Sequence, residues 1–402
     1  MQDKLNLSLQ QVGLISSCFP AVYGVSKLFG GMAADLRSPR IMLSAGLLLA
    51  ALCNVLFAAG NSVPFFAILW GLNGLVSSVG FPACAKILSV WFSRSERGTY
   101  WGLLNVSLNV GGAVSPIIVG AAAAMFGWQY GMLVPAVMAL GMAGLVLTAI
   151  QDSPQTAGLP PTPLLPPPQK SKQESSPWKT FVQQMREGIL QERSVWLLAV
   201  SYFFVYVVRQ ALTSWTIFYL MKARGVASLA EAGLRVSGLE VGGLLGSVTS
   251  GWLSDLFIRR NASSGAVGQR IKVILLYVLL TALCVMGFFA TPATSALLPV
   301  QWILYALTGV GLYGQQLLVG LCSTECVDRR FAGTSNGFVG LTAYAGAALA
   351  GFPLSICVKR FGWGALQNIV IGCSMIVAVL LLPLLKKRSH EQEAALAKGK
   401  SR

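Results

Sequence analysis

Gly31-Met32-Ala33-Ala34-Asp35 recurs as Gly251-Trp252-Leu253-Ser254-Asp255, 220 residues further along the chain. Two more matches follow in the same order. Gly98-Thr99 with Gly102 recurs as Gly333-Thr334 with Gly337, and Phe126-Gly127-Trp128 as Phe361-Gly362-Trp363, both at an offset of 235. Ordered matches of this kind mark an internal duplication. Each sits at the end of a long apolar stretch, so the duplicated unit is a bundle of apolar helices.

Composition places that bundle in lipid. Hydrophobic residues make up 54% of the chain and charged residues 11%, against about 25% charged in soluble domains. The 43 glycines suit close helix packing in a bilayer. A spanning helix needs about 20 mostly apolar residues. Eleven stretches qualify: 10–33, 41–60, 63–90, 99–126, 128–150, 195–221, 233–257, 271–291, 297–321, 333–356 and 363–385. The expected fold is an all-α membrane protein with two pseudo-symmetric helical halves. Residues 1–150 form the first transmembrane half, 151–193 a polar linker, 194–388 the second half and 389–402 a tail. The linker opens on the proline-rich run 160–168, and a short helix is expected near 178–192.

The net charge of +16 raises nucleic acid as a partner, but its distribution excludes that reading. Of the thirty Lys and Arg residues, 21 lie in alternate loops and the tail, among them Arg37, Arg40, Arg94, Arg97, Arg270 and Arg329. Six lie on the opposite side: Lys4, Lys222, Arg224, Arg235, Lys359 and Arg360. This alternation is the positive-inside pattern, and it puts linker and tail in the cytosol. The halves are unequal, however. Shifting span 195–221 back by 220 places its counterpart before residue 1, which leaves five spans in the first half and six in the second. Either one N-terminal helix is omitted or the protein is an eleven-span form.

Three cations remain within the spans: Lys27, Lys86 and Arg209. Charge in a bilayer is costly and is either functional or paired. A guanidinium offers a planar fork to phosphate oxygens, and an ammonium adds a point charge. Arg209 and Lys27 therefore form a candidate anion site between the halves, the alternative being internal salt bridges, for instance of Glu240 with a lysine. Glu240 contacts substrate or serves gating and charge pairing. Lys86 snorkels or pairs near the cytosolic end. Asp35 and Asp255 end small-residue helices at arginine-rich loops, Arg40 among those arginines, and are expected to make helix-end charge contacts. Tyr23, Tyr206, Tyr313 and Tyr344 supply hydroxyls to a sugar-sized cavity or pack as ordinary tyrosines. The lone histidine, His390, lies in the tail, so a centre of histidine with carboxylates has no material and an enzyme is not expected. The eight cysteines lack metal spacing and read as small core residues. No cofactor or metal is expected.

Tyr23-Gly24-Val25-Ser26-Lys27, Gly80-Phe81-Pro82-Ala83-Cys84, Asn109-Val110-Gly111-Gly112, Leu239-Glu240-Val241-Gly242-Gly243 and Ala332-Gly333-Thr334 together resemble the organophosphate:phosphate antiporter family of the major facilitator superfamily. The resemblance covers nearly the whole chain outside linker and tail. It implies exchange of a phosphorylated sugar for inorganic phosphate by rocking of two halves about a midplane site. It makes Lys27 the substrate-site lysine, Arg209 the phosphate-gripping residue of the seventh helix, and Tyr23, Tyr313, Tyr344 and Asn109 substrate-site residues. Leu108 stands where glycerol-3-phosphate transporters carry a histidine. That favours the sugar-phosphate branch, most like the glucose-6-phosphate translocase of the endoplasmic reticulum, as a monomer in that bilayer. A plasma or other organelle membrane is the alternative. A hexose-phosphate sensor, a carrier of another organic anion, or a transport-incompetent truncated form are the other readings.

Overall fold

The computed structural model describes residues 9–159, 182, 184–226, 229–261, 264–350 and 352–400. The proline-rich run 160–168, and with it Lys4, Lys170, Lys172, Lys179 and Arg402, lies outside the described residues. Each of the eleven apolar stretches falls on helix, and the described residues contain no strand. Lipid offers no water to backbone groups, so a helix that satisfies them internally is the local solution. The main helices are α1 (Leu9–Leu36), α2 (Pro39–Ala59), α3 (Val63–Ser77), α4 (Gly80–Trp91), α5 (Arg97–Phe126), α6 (Tyr130–Ala149), α7 (Arg193–Ala223), α8 (Leu229–Arg260), α9 (Ala266–Ala290), α10 (Leu298–Glu325), α11 (Ala332–Leu349), α12 (Phe352–Phe361), α13 (Gly364–Leu381) and α14 (His390–Lys400). Among the described residues, eight segments are long and apolar enough to cross a membrane, α3 and α4 together forming one. Near 178–192 the described residues hold a π-helical segment, Gln184–Leu190. The tail is helical, as α14.

Local chemistry sets the helix boundaries. Ser38 accepts the Ile41 N–H at 3.2 Å ahead of Pro39, a residue suited to the first helical turn. The repeated Phe-Gly-Trp triplets are helix stops. Gly127 (φ 105°) and Gly362 (φ 75°) both take the left-handed conformation that ends a helix at little cost only for glycine.

The chain folds into two compact units. One holds the described residues up to Trp91 with Val110–Ile189 and Arg329–Leu341, and the other holds Phe92–Asn109, Leu190–Asp328 and the described residues from Thr342. In the first, Ile15, Phe57, Phe66 and Leu69 make a core against Trp70 and Trp128. Ser44 Oγ ties α2 to the Ala143 carbonyl of α6 at 3.0 Å, and Asn73 Nδ2 ties α3 to Asn54 of α2 at 2.8 Å. In the second, α8 and α10 cross closely: a Cβ on Gly242 would fall 1.8 Å from the Ala306 carbonyl oxygen. Small residues permit such approach between membrane helices. Tyr305 hydroxyl joins α10 to α7 through the Leu212 carbonyl at 3.0 Å and Thr216 Oγ1 at 2.6 Å.

The duplicated motifs meet crosswise. In the first unit Asp35 of α1 accepts the backbone N–H groups of Gly333 (2.9 Å) and Thr334 (2.6 Å) and the Thr334 hydroxyl (2.6 Å), with Lys86 Nζ 3.2 Å away. In the second unit Asp255 of α8 accepts from Gly98 N (3.1 Å), Thr99 N (2.7 Å) and Thr99 Oγ1 (2.8 Å), with Arg270 at 3.0 Å. The acidic motif of each repeat thus caps the Gly-Thr helix start of the other, supplying acceptors for first-turn N–H groups. Glycine is required at the crossing. A Cβ on Gly31 would lie 2.2 Å from the Gly333 carbonyl oxygen, and one on Gly251 would lie 2.2 Å from that of Gly98.

Asp255 opens onto a buried charge network in the second unit. Arg270 forks onto Glu325, Nε to Oε2 at 2.9 Å and Nη2 to Oε1 at 3.1 Å, and also donates to the Arg94 carbonyl at 2.8 Å. Arg97 bridges Glu325 at 3.4 Å and Glu391 of α14 at 3.2 Å. Arg97 and Arg270 are 1% and 0% exposed. The charge pattern along the chain assigned both to cytosolic loops, whereas the structure builds them into α5 and α9, where carboxylates can fix them. Beside them, Lys387 lies 3.2 Å from both Glu192 and Glu393. Partial burial lowers its pKa, but the two carboxylates outweigh that effect and hold it above the ordinary lysine value.

Gly251→Val is expected to lose about 1–3 kcal/mol by overpacking against a backbone carbonyl. Gly141→Ala, where a Cβ meets nothing within 4 Å, is expected to gain about 0.5–1 kcal/mol from helix propensity. Thermal unfolding in detergent checks both. Arg270→Met strands two buried carboxylates and is expected to cost about 3–5 kcal/mol. Adding Glu325→Leu is expected to restore part of that loss in the same assay, and strictly additive losses would contradict the coupling.

Candidate functional site

In the second unit α7 presents Arg209 to two aromatic rings. Its guanidinium carbon lies 5.6 Å from the Tyr206 ring centroid and 5.1 Å from that of Tyr313 on α10. Among the described residues no carboxylate forms an ion pair with Arg209; the ring faces, the Tyr313 hydroxyl and, at longer range, the Glu240 charge answer it instead. The Tyr313 ring has room because Gly243 lacks a side chain, where a Cβ would fall 2.9 Å from the ring. The Tyr313 hydroxyl lies 2.8 Å from each oxygen of Glu240 on α8. Glu240 thus finds a tyrosine hydroxyl as its partner. Its side chain is exposed. A carboxylate on a membrane helix is stable where that face meets water rather than lipid. Tyr344 stands with its ring 6.0 Å from that of Tyr206.

The first unit holds the other predicted cation. Tyr23 and Lys27 are four residues apart on α1 and so share a face. Lys27 is 6% exposed and its ammonium lies 5.3 Å from the Phe81 ring centroid. Gly340 makes space for it: a Cβ there would lie 2.7 Å from Lys27 Cδ and Cε. Tyr23 stacks on Phe19 at 5.7 Å.

The remaining predicted residues hold the framework. Lys86 reaches Asp35 and the Arg329 carbonyl. Arg40 donates its backbone N–H to Asp152 at 2.8 Å and Nη1 to Gln151 at 3.3 Å, tying the start of α2 to the segment after α6. Asn109 bonds back to the Asn105 carbonyl of its own helix at 3.4 Å and does not join Arg209. Sequence reasoning missed Glu325, Arg270 and Gln316. An acid ending the apolar run of α10, and paired glutamines within it, were the available signals. The described residues hold no cluster of three or more His, Cys, Asp or Glu fit for a metal, and the cysteines are free thiols.

This geometry has recognisable relatives. The Major Facilitator Superfamily model matches residues 1–351. A probable hexose phosphate transport protein of Chlamydia muridarum is 32% identical, covering 96% of this chain and 86% of that one. The membrane sensor protein UhpC of Salmonella typhimurium is 33% identical over 96% and 85%. The glycerol-3-phosphate transporter of Bacillus subtilis is 30% identical over 94% and 84%. Among solved structures, the Escherichia coli fucose:proton symporter FucP superposes with a TM-score of 0.71 at 15% identity, over 92% of this chain and 90% of that one. That likeness carries the fold alone. The chain belongs to the Major Facilitator Superfamily, in its organophosphate:phosphate antiporter family, as an integral multi-pass membrane protein of a transporter family and not an enzyme.

Proposed function

We propose that the chain is a secondary transporter that exchanges a phosphorylated sugar, with glucose 6-phosphate as lead substrate, for inorganic phosphate. The observation that carries this reading is Arg209. It is a permanent cation on a membrane helix, flanked by tyrosine rings and answered by no ion-paired carboxylate among the described residues. Carboxylate partners, as around Arg270, consume a guanidinium fork. Apart from its contact with the Tyr313 hydroxyl, aromatic faces leave its N–H donors available to phosphate oxygens. Glu240, held by Tyr313, supplies the opposing charge that lets a bound anion leave. Lys27, Tyr23 and Tyr344 are assigned to substrate by the family motifs, and Asn109 is assigned with them. Leu108, in place of a histidine, favours a sugar phosphate over glycerol 3-phosphate, and with it the translocase branch and the endoplasmic reticulum membrane.

A second reading has its own support, because the membrane sensor UhpC is as similar to this chain as the transport proteins are. A sensor binds hexose phosphate without moving it.

Proteoliposomes separate the two. Internal phosphate is expected to drive uptake of labelled glucose 6-phosphate. Saturable binding without such counterflow would favour the sensor. Arg209→Ala is expected to reduce exchange by about 10–100-fold, the worth of one or two charge-assisted hydrogen bonds, while thermal stability stays near that of the unaltered chain. Normal exchange by that variant would overturn the site assignment. Arg209→Lys is expected to recover only part of the loss, because the ammonium keeps the charge without the fork.

A further inference from the structure

Two helices of the second unit present matched pairs of side chains. Tyr206 and Arg209 are one turn apart on α7, and Tyr313 and Gln316 are one turn apart on α10, so each pair shares a face. The pairs meet antiparallel. Arg209 lies against the Tyr313 ring at 5.1 Å, and one turn along the Gln316 amide donates to the Tyr206 hydroxyl at 3.3 Å. Gln315, the neighbouring residue, points elsewhere and donates to Thr281 Oγ1 on α9 at 3.2 Å. Gln315 is thus used in helix packing, and Gln316 only half so. Gln316 is 7% exposed, and its amide oxygen has no hydrogen-bond partner among the described residues. Turning the amide over would give the oxygen to Tyr206 and orphan the amino group instead, so one polar end is unsatisfied in either orientation. A buried unpaired amide is costly, and it is explained where a ligand completes it.

We propose that Gln316 reads a hydroxyl of the substrate's organic part, and so sets the preference for a polyol phosphate over inorganic phosphate. The inference rests on the transport reading above and deepens it. The two levels of the cluster are separated by one helical turn, about 5.4 Å. A phosphate at the Arg209 level ends there. A hexose phosphate continues, and its ring hydroxyls come within reach of the amide one turn away. Gln316 therefore discriminates between the two exchanged anions, while Arg209 serves both.

The test measures kcat/KM for glucose 6-phosphate and for phosphate in proteoliposomes, with Gln316→Leu, which keeps volume and removes the amide. The ratio of the two values is expected to fall about tenfold in favour of phosphate, the size of one lost hydrogen bond. An unchanged ratio would overturn the proposal. A series of monodeoxy glucose 6-phosphates on the unaltered chain gives a readout independent of any variant's folding. At least one deletion is expected to lower kcat/KM about tenfold, and Gln316→Leu is expected to be indifferent to that same deletion. A flat series would overturn the proposal on its own. An unaltered chain that exchanges neither compound would instead overturn the transport reading, and this inference with it.

Discussion

A buried carboxylate held against the first turn of a neighbouring helix is the contact on which the packing depends. Asp35 and Asp255 each accept two backbone N–H groups and a threonine hydroxyl. Those N–H groups have no intrahelical acceptors, and an orphaned donor away from water is costly. The carboxylate solves that problem and acquires another, its own burial, which Lys86 and Arg270 offset from the far side. All of this requires backbones near contact, which is why glycine stands at 31, 98, 251 and 333. Sequence, helix approach and electrostatics therefore constrain one another at both crossings.

The same physics divides the cations into two kinds. Arg97, Arg270 and Lys86 are matched by carboxylates at 2.9 to 3.4 Å, and these contacts commit their donors to the fold. Arg209 is faced by aromatic rings, and Lys27 lies over one. A ring face attracts a cation through its quadrupole. Carboxylate compensation thus marks a structural charge, whereas ring-faced Arg209 is the cation we propose meets a mobile anion. Burial alone does not give a cation's role, since Arg270 and Lys27 are both almost wholly buried.

Much of this was legible in the sequence, and the gaps have a physical cause. Helices could be read from apolar runs because lipid permits little else, and the duplicated motifs placed Asp35 and Asp255 at helix ends. The sequence did not say that each acidic motif would cap the other repeat's helix, because a repeat shows likeness and not contact. Arg97 and Arg270 were legible as orientation charges only: a count of positive residues per loop gives the side of the membrane and no partner. Arg209 stood out because it interrupts an apolar helix. Gln316 did not, because a neutral amide costs too little in a small-residue stretch to look anomalous until its neighbours are known.

The helix α10 shows why these roles must be read along its length. At its start Gln301 accepts from the fully buried Arg235 and donates to the Thr291 carbonyl at 3.0 Å, fixing the end of the helix to its neighbours. In its middle Tyr313 and Gln316 face α7, with one Gln316 atom unsatisfied among the described residues. At its last turn Glu325 holds two buried arginines. Contacts to buried arginines at both ends tie the helix to its neighbours, and Tyr313 and Gln316 stand between them. The ends thus fix where the middle residues stand, which is what the proposed anion site requires of Tyr313 and Gln316.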